Sequence, residues 1–201
     1  THPSVLAGID RAATALAAAG YEVVEVTEAD TPGVGTSADL AFRLMMADLN
    51  HQLGLVLDRL GSEQMITYWA AVGELARPYA DLGEHIDDLA RRTTLIRTWL
   101  GFLETYPVLV VPELLGPLLE VDEDVRTTAD TVAVWRSLRP SIAMNILGLP
   151  AAMAPTGLVD GLPTGVQLVA SRYREDVALD AAQAIEDAVG VLTQRLWTRS
   201  G

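Results

Sequence analysis

Residues 145–190 decide the fold: NILGLPAAMAPTGLVDGLPTGVQLVASRYREDVALDAAQAIEDAVG. Two short apolar runs, Ala151 to Ala154 and Thr164 to Ala170, read as core strands. Gly161-Leu-Pro163 makes a tight turn into the second run, with proline fixing φ before the ladder begins. Gly165 inside a strand signals close backbone approach. Gln167 in an apolar strand requires hydrogen-bond partners. Asp176 to Val189 is an alanine-rich helix. Gly161, Pro163, Gly165 and Gln167 therefore read as scaffold, and none of them is a nucleophile.

Upstream, Val5 to Ala19 reads as an amphipathic helix closed by Gly20. Tyr21 to Val26 alternates as a strand does. Thr31 to Ser37 is turn-rich, and Thr36 or Ser37 is expected to cap a helix reaching about Leu60, with Asp39 in its first turn. Ser62 caps a further helix to about Arg77, which Pro78 ends. Glu84 to Glu104 is periodic again, with Leu89, Ile96, Trp99, Leu100 and Leu103 on related faces. Pro107 to Val111 has the pattern of a buried strand. Residues 112–125 form a loop rich in proline, glycine and acid. Arg126 to Leu147 reads as one helix with a kink at Pro140. Several helices thus separate a few short strands. No repeat or linker divides the chain, so 1–201 is expected to be a single unit.

Half of the 201 residues are apolar, enough to build a core. The net charge of −13 disfavours a phosphate backbone, so no nucleic-acid partner is expected. All 14 basic residues are arginine, and there is no cysteine. A disulfide framework, a thiolate metal site and a thiol nucleophile are excluded. The longest uncharged run, Pro140 to Val159, carries three prolines and Asn145, so no membrane span is expected. No secretory pattern follows Thr1, and a cytoplasmic location is expected. The missing initiator methionine suggests a partial or processed chain.

The run N-x-x-G-x-P-A from Asn145, then Gly161-Leu-Pro-x-Gly-x-Gln-Leu-Val, then an acidic residue and an alanine-rich helix resembles the C-terminal end of the amidase-signature amidohydrolases. The resemblance is specific from about Val108 onward. It implies the C-terminal portion of an α/β/α sandwich with a mixed central sheet, rich in helix. Residues 37–104 would be the variable helical region and 105–190 the family-like segment. Such enzymes attack a carboxamide with serine, helped by a second serine in a cis peptide and a lysine, all in their N-terminal half. That half is the implied partner, with a small-molecule amide as substrate and no cofactor. No catalytic residue and no metal ligand is expected in this chain. The helix ahead of Asn145 lines the acyl side of the pocket in the family. Trp135, Leu138 and Ile142, spaced by three and four, share a face there, and with Asn145 they are the expected substrate-binding residues. One departure is Val111-Pro112-Glu113, where the family often has Thr-Pro-Thr; the carboxylate either alters the pocket or points to solvent.

The residues alone offer little chemistry. A serine hydrolase needs a base beside an exposed serine. Lysine is absent, and the histidines are His2, His51 and His85. None of the seven serines sits in G-x-S-x-G. His51 after Asp48, and His85 beside Glu84, Asp87 and Asp88, lack metalloprotease spacing and read as surface helix. Gly33-Val-Gly35-Thr-Ser lacks the lysine of a phosphate loop and reads as a capped helix start. Asp122-Glu123-Asp124 lacks EF-hand spacing. Tyr68, Trp69 and Trp99 read as core ahead of a substrate cage. The leading expectation is an amidase C-terminal part, inactive alone and exposing an apolar docking surface. The alternatives are a stand-alone binding module and one subunit of a split amidase.

Overall fold

The hairpin at 151–170 is the spine of the structure. In the computed structural model, which describes residues 1–193 and 197, β2 (Ala151–Val159) pairs antiparallel with β3 (Leu162–Ala170). Asp160 and Gly161 join them, both with positive φ, as a two-residue hairpin turn requires. β1 (Val108–Pro112) lies antiparallel on the other side of β3, so the order is β1-β3-β2. The register aligns Val111, Gln167 and Met153 across the three strands. A Cβ on Gly165 would stand 2.7 Å from the Ala154 carbonyl oxygen, which explains the glycine. A bulge between Pro155 and Gly157 bends β2. Arg11 pins it by donating from Nε to the Thr156 carbonyl at 2.7 Å.

Helices cover both faces, giving three layers. On one face α1 (Pro3–Ala18) and α7 (Glu175–Val189) bring Ala12, Leu16, Ala181 and Ile185 against Ala154, Val166 and Leu168. Small alanines let these helices approach closely. On the other face lie α2 (Val34–Leu60), α4 (Leu82–Thr105) and α6 (Arg139–Leu147). There Phe42, Trp99, Leu103, Met144 and Leu147 pack on Leu109, Val111 and Val169. α3 (Glu63–Gly73) and α5 (Thr128–Ser137) pack together outside this layer. The expected α/β fold is the one found, and the sheet carried by this chain is antiparallel throughout.

Four local expectations are corrected. Residues 21–26 form no strand: Val23 and Val24 are exposed, and no described strand runs beside them to complete a ladder. Ser37 is not a cap. It lies inside α2, fully buried, and its hydroxyl donates to the Gly33 carbonyl while accepting from Trp99 Nε1. The helix begins three residues earlier, at Val34, after Gly33 with φ 98°. α3 ends at Gly73, short of Pro78. Residues 126–147 form two helices, α5 and α6, broken at Leu138. Pro140 lies in the first turn of α6, where its missing N–H costs nothing.

Candidate functional site

α6 is held at both ends, and this positions Asn145. At its start Arg139 donates to the Gly35 carbonyl at 2.8 Å and pairs with Asp39 at 2.8 Å, tying α6 to α2. Ser141 donates from Oγ to the Glu113 carbonyl at 3.0 Å. At its end Gly148 takes the left-handed conformation, with φ 63°. The last carbonyls are met by arginines: Arg92 Nε reaches Ile146 O at 2.6 Å, and Arg172 Nη2 reaches Leu147 O at 2.8 Å. Cations there also suit the helix dipole. Asn145 is thereby presented outward from a rigid helix, with its side chain exposed.

The other expected pocket residues are brought together in part. Trp135 is half-buried on α5, and its indole Nε1 donates to the Tyr68 hydroxyl at 3.0 Å. Phe42 meets it edge-on, with ring centroids 6.1 Å apart. Trp135 and Ile142 both pack against the core cluster beneath α2, α4 and α6. Leu138 sits at the helix break, so the three residues do not ride one continuous helix. A cavity of about 180 Å³ lies elsewhere, lined by Ser4, Glu113, Asp160 and Thr164 among others, and by none of Trp135, Leu138, Ile142 or Asn145. Glu113 lines that cavity. Tyr68, which the sequence reading put in the core ahead of a substrate cage, is the aromatic partner of Trp135. The signal for it was the tertiary contact of α3 with α5, which no local pattern encodes.

Glu84 and Asp88, the acids on either side of His85, are engaged in ion pairs. Arg43 pairs with Glu84 at 3.1 Å and Asp88 at 2.7 Å, and Arg77 pairs with Glu84 at 3.0 Å. The Tyr79 hydroxyl donates to Asp88, and its ring contacts His85. Burial, followed by that contact with Asp88, pushes the Tyr79 phenol up to about 12, so it remains a donor. At the start of α2 the Gly35 N–H donates to the Glu28 carboxylate at 2.8 Å. A protein anion thus occupies the helix start that a phosphate would need. His51 is exposed on α2. No group of three or more His, Cys, Asp or Glu side chains fit to hold a metal occurs among the described residues.

The amidase family model matches residues 1–179. The chain belongs to the amidase family. Over 198 residues it is 39% identical to an indoleacetamide hydrolase of Bradyrhizobium japonicum, covering 97% of this chain and 41% of that relative. It is 33% identical over 95 residues to a glutamyl-tRNA(Gln) amidotransferase subunit of Lactobacillus gasseri, covering 47% of this chain and 19% of that one. Among solved structures, Kluyveromyces lactis allophanate hydrolase superposes with a TM-score of 0.74 at 19% identity, over 92% of this chain and 30% of that one. That likeness supports the same fold. The chain thus spans 41% of the first of these relatives' length. Among the described residues no helix is long and apolar enough to cross a membrane.

Proposed function

We propose that the chain is the C-terminal part of an amidase that hydrolyses a carboxamide to a carboxylate and ammonia or an amine. The observation carrying this reading is the amidase match over 1–179, set beside a chain without lysine or cysteine. The complementary N-terminal part supplies the serine nucleophile, its activating partners and the oxyanion donors. This chain supplies the wall of the pocket. Trp135, Leu138, Ile142 and Asn145 face the acyl side of the substrate, with α6 held rigid by Arg139, Arg92 and Arg172. The 39% identity to an indoleacetamide hydrolase makes an aryl-acetamide the first substrate class to test. The alternative that the complementary part is a separate subunit leaves the same chemistry, divided between two chains.

The test is ammonia release from indole-3-acetamide and from aliphatic amides. It is run on the chain alone and on the complete protein that includes the upstream part. The complete protein should turn over an amide at ordinary enzyme rates, on the order of 1–1000 per second. The chain alone should show none. Turnover by the repurified chain alone, or none by the complete protein, rejects the reading.

A further inference from the structure

Gln167 stands where the covered half of the sheet meets the open half. On its face, Val169 of β3 and Leu109 and Val111 of β1 are roofed by α2, α4 and α6. Over β2 the roof stops. Met153, the residue registered opposite Gln167, is 47% exposed, and Ala151 is exposed too. β2 is an outer strand, paired only with β3 among the described residues. An outer strand presents a row of backbone donors and acceptors to whatever lies beside it.

The Gln167 Oε1 is buried, yet no donor among the described residues reaches it. A buried acceptor that no protein donor reaches is costly to the fold. For the chain alone, an apolar side chain of the same shape would serve better. The amide therefore points to a donor from outside. We propose that Gln167 is a positioning residue for the complementary part of the amidase domain. Its side-chain carbonyl accepts a hydrogen bond from a donor that this part brings as it settles over Met153 and along β2. The inference rests on reading the chain as the C-terminal part of an amidase.

The occupant follows from size and charge. The chain spans 41% of the indoleacetamide hydrolase it matches, so most of such a protein has to be seated against it. The open face continues the one that this chain roofs with its own helices. A second copy fits less well, because two chains of net charge −13 repel each other. A lone polar group in an apolar floor adds little adhesion. What it does is fix one register, since every displaced arrangement leaves it unpaired.

The test compares Gln167→Met in the chain alone and in the complete amidase. Methionine keeps the length and removes the acceptor. In the chain alone the unfolding midpoint should hold or rise. In the complete amidase it should fall, with kcat reduced about tenfold or more through misplacement of the catalytic part, and KM little changed. Gln167→Glu, which keeps the acceptor oxygens, should restore kcat. Shifts of the same sign and size in both forms, or an unchanged kcat, overturn the inference. If the complete wild-type protein hydrolyses no amide, the amidase reading fails by itself. The opposed midpoint shifts then still decide whether Gln167 receives an external donor.

Discussion

Trp135, proposed above for the pocket, and Trp99 of the core differ in what surrounds them. Trp99 is completely buried, and its N–H is spent on the buried Ser37 hydroxyl at 3.1 Å. Truncating it to alanine should cost about 3–5 kcal/mol, read from the denaturation midpoint. Trp135 is half-buried, with its N–H held by Tyr68 and its ring edge-on to Phe42. Trp135→Ala should cost clearly less than Trp99→Ala. In the complete enzyme it should shift kcat/KM toward a bulkier acyl group by about tenfold, about 1.4 kcal/mol of differential transition-state binding. Midpoints of both variants and kcat/KM for a short and a bulky amide check this together. Equal destabilisation with an unchanged ratio would return Trp135 to the core. Ser37 shows where a residue-level reading goes astray. Serine before a helix is a good cap by propensity, but here the hydroxyl is needed inside, under an indole 62 residues away in sequence.

Helices α2 and α4 are joined by ions as well as apolar packing, and the ions make that joint sensitive to pH. Arg43 lies between Glu84 and Asp88, and Asp88 is nearly buried. Removing Arg43 as Arg43→Met leaves the Asp88 carboxylate with the Tyr79 hydroxyl as its remaining side-chain donor, at a cost of about 3–5 kcal/mol. Glu84 is held below its ordinary value of 4.5, first by the hydrogen bond from Arg77 and then by the Ala80 N–H. A carboxyl with a depressed folded-state pKa stabilises the fold above its unfolded value. That contribution is lost as pH falls through the lower, folded value. Wild type and Glu84→Gln should therefore differ in melting temperature at neutral pH and converge well below pH 4.5. A constant difference across the range would show that Glu84 acts through packing. Element boundaries followed local rules where local chemistry decides them: Ser62 does cap α3, accepting from the Met65 N–H. Residues 21–26 failed as a strand because strandness is a property of pairs. Their alternation is real, but no described strand runs beside them. The aromatic contact of Tyr68 with Trp135 was hidden for the same reason, since it depends on two elements meeting.

Over the whole molecule, α2 shows an apolar seam running out of the core. Phe42, Met46, Leu49, Leu53, Val56 and Leu60 alternate in steps of four and three, the spacing of one helical face. Along that face exposure climbs from 0% at Phe42 and 4% at Met46 to 41% at Leu53, 50% at Val56 and 82% at Leu60. Met65 and Ile66 at the start of α3 are exposed nearby in sequence. A seam that is core at one end and bare at the other fits a chain whose family relatives are more than twice its length. Two forces then act on the chain alone. The seam favours association, while a net charge of −13 opposes it. Salt shifts the balance, because the screening length shrinks from roughly 30 Å at 0.01 M to roughly 3 Å at 1 M, while the apolar attraction persists. Sedimentation of the chain alone should therefore give monomer at low salt and larger species at high salt. Val56→Glu with Leu60→Glu alters seam side chains that are 50% and 82% exposed, so the fold should be retained. This double variant should stay monomeric at both salt concentrations. In the proposed complete amidase the upstream part would cover the seam, and no such dependence is expected. A mass independent of salt, or an equal rise in the double variant, would mean that the seam is simply a solvated helix and that the upstream part docks elsewhere.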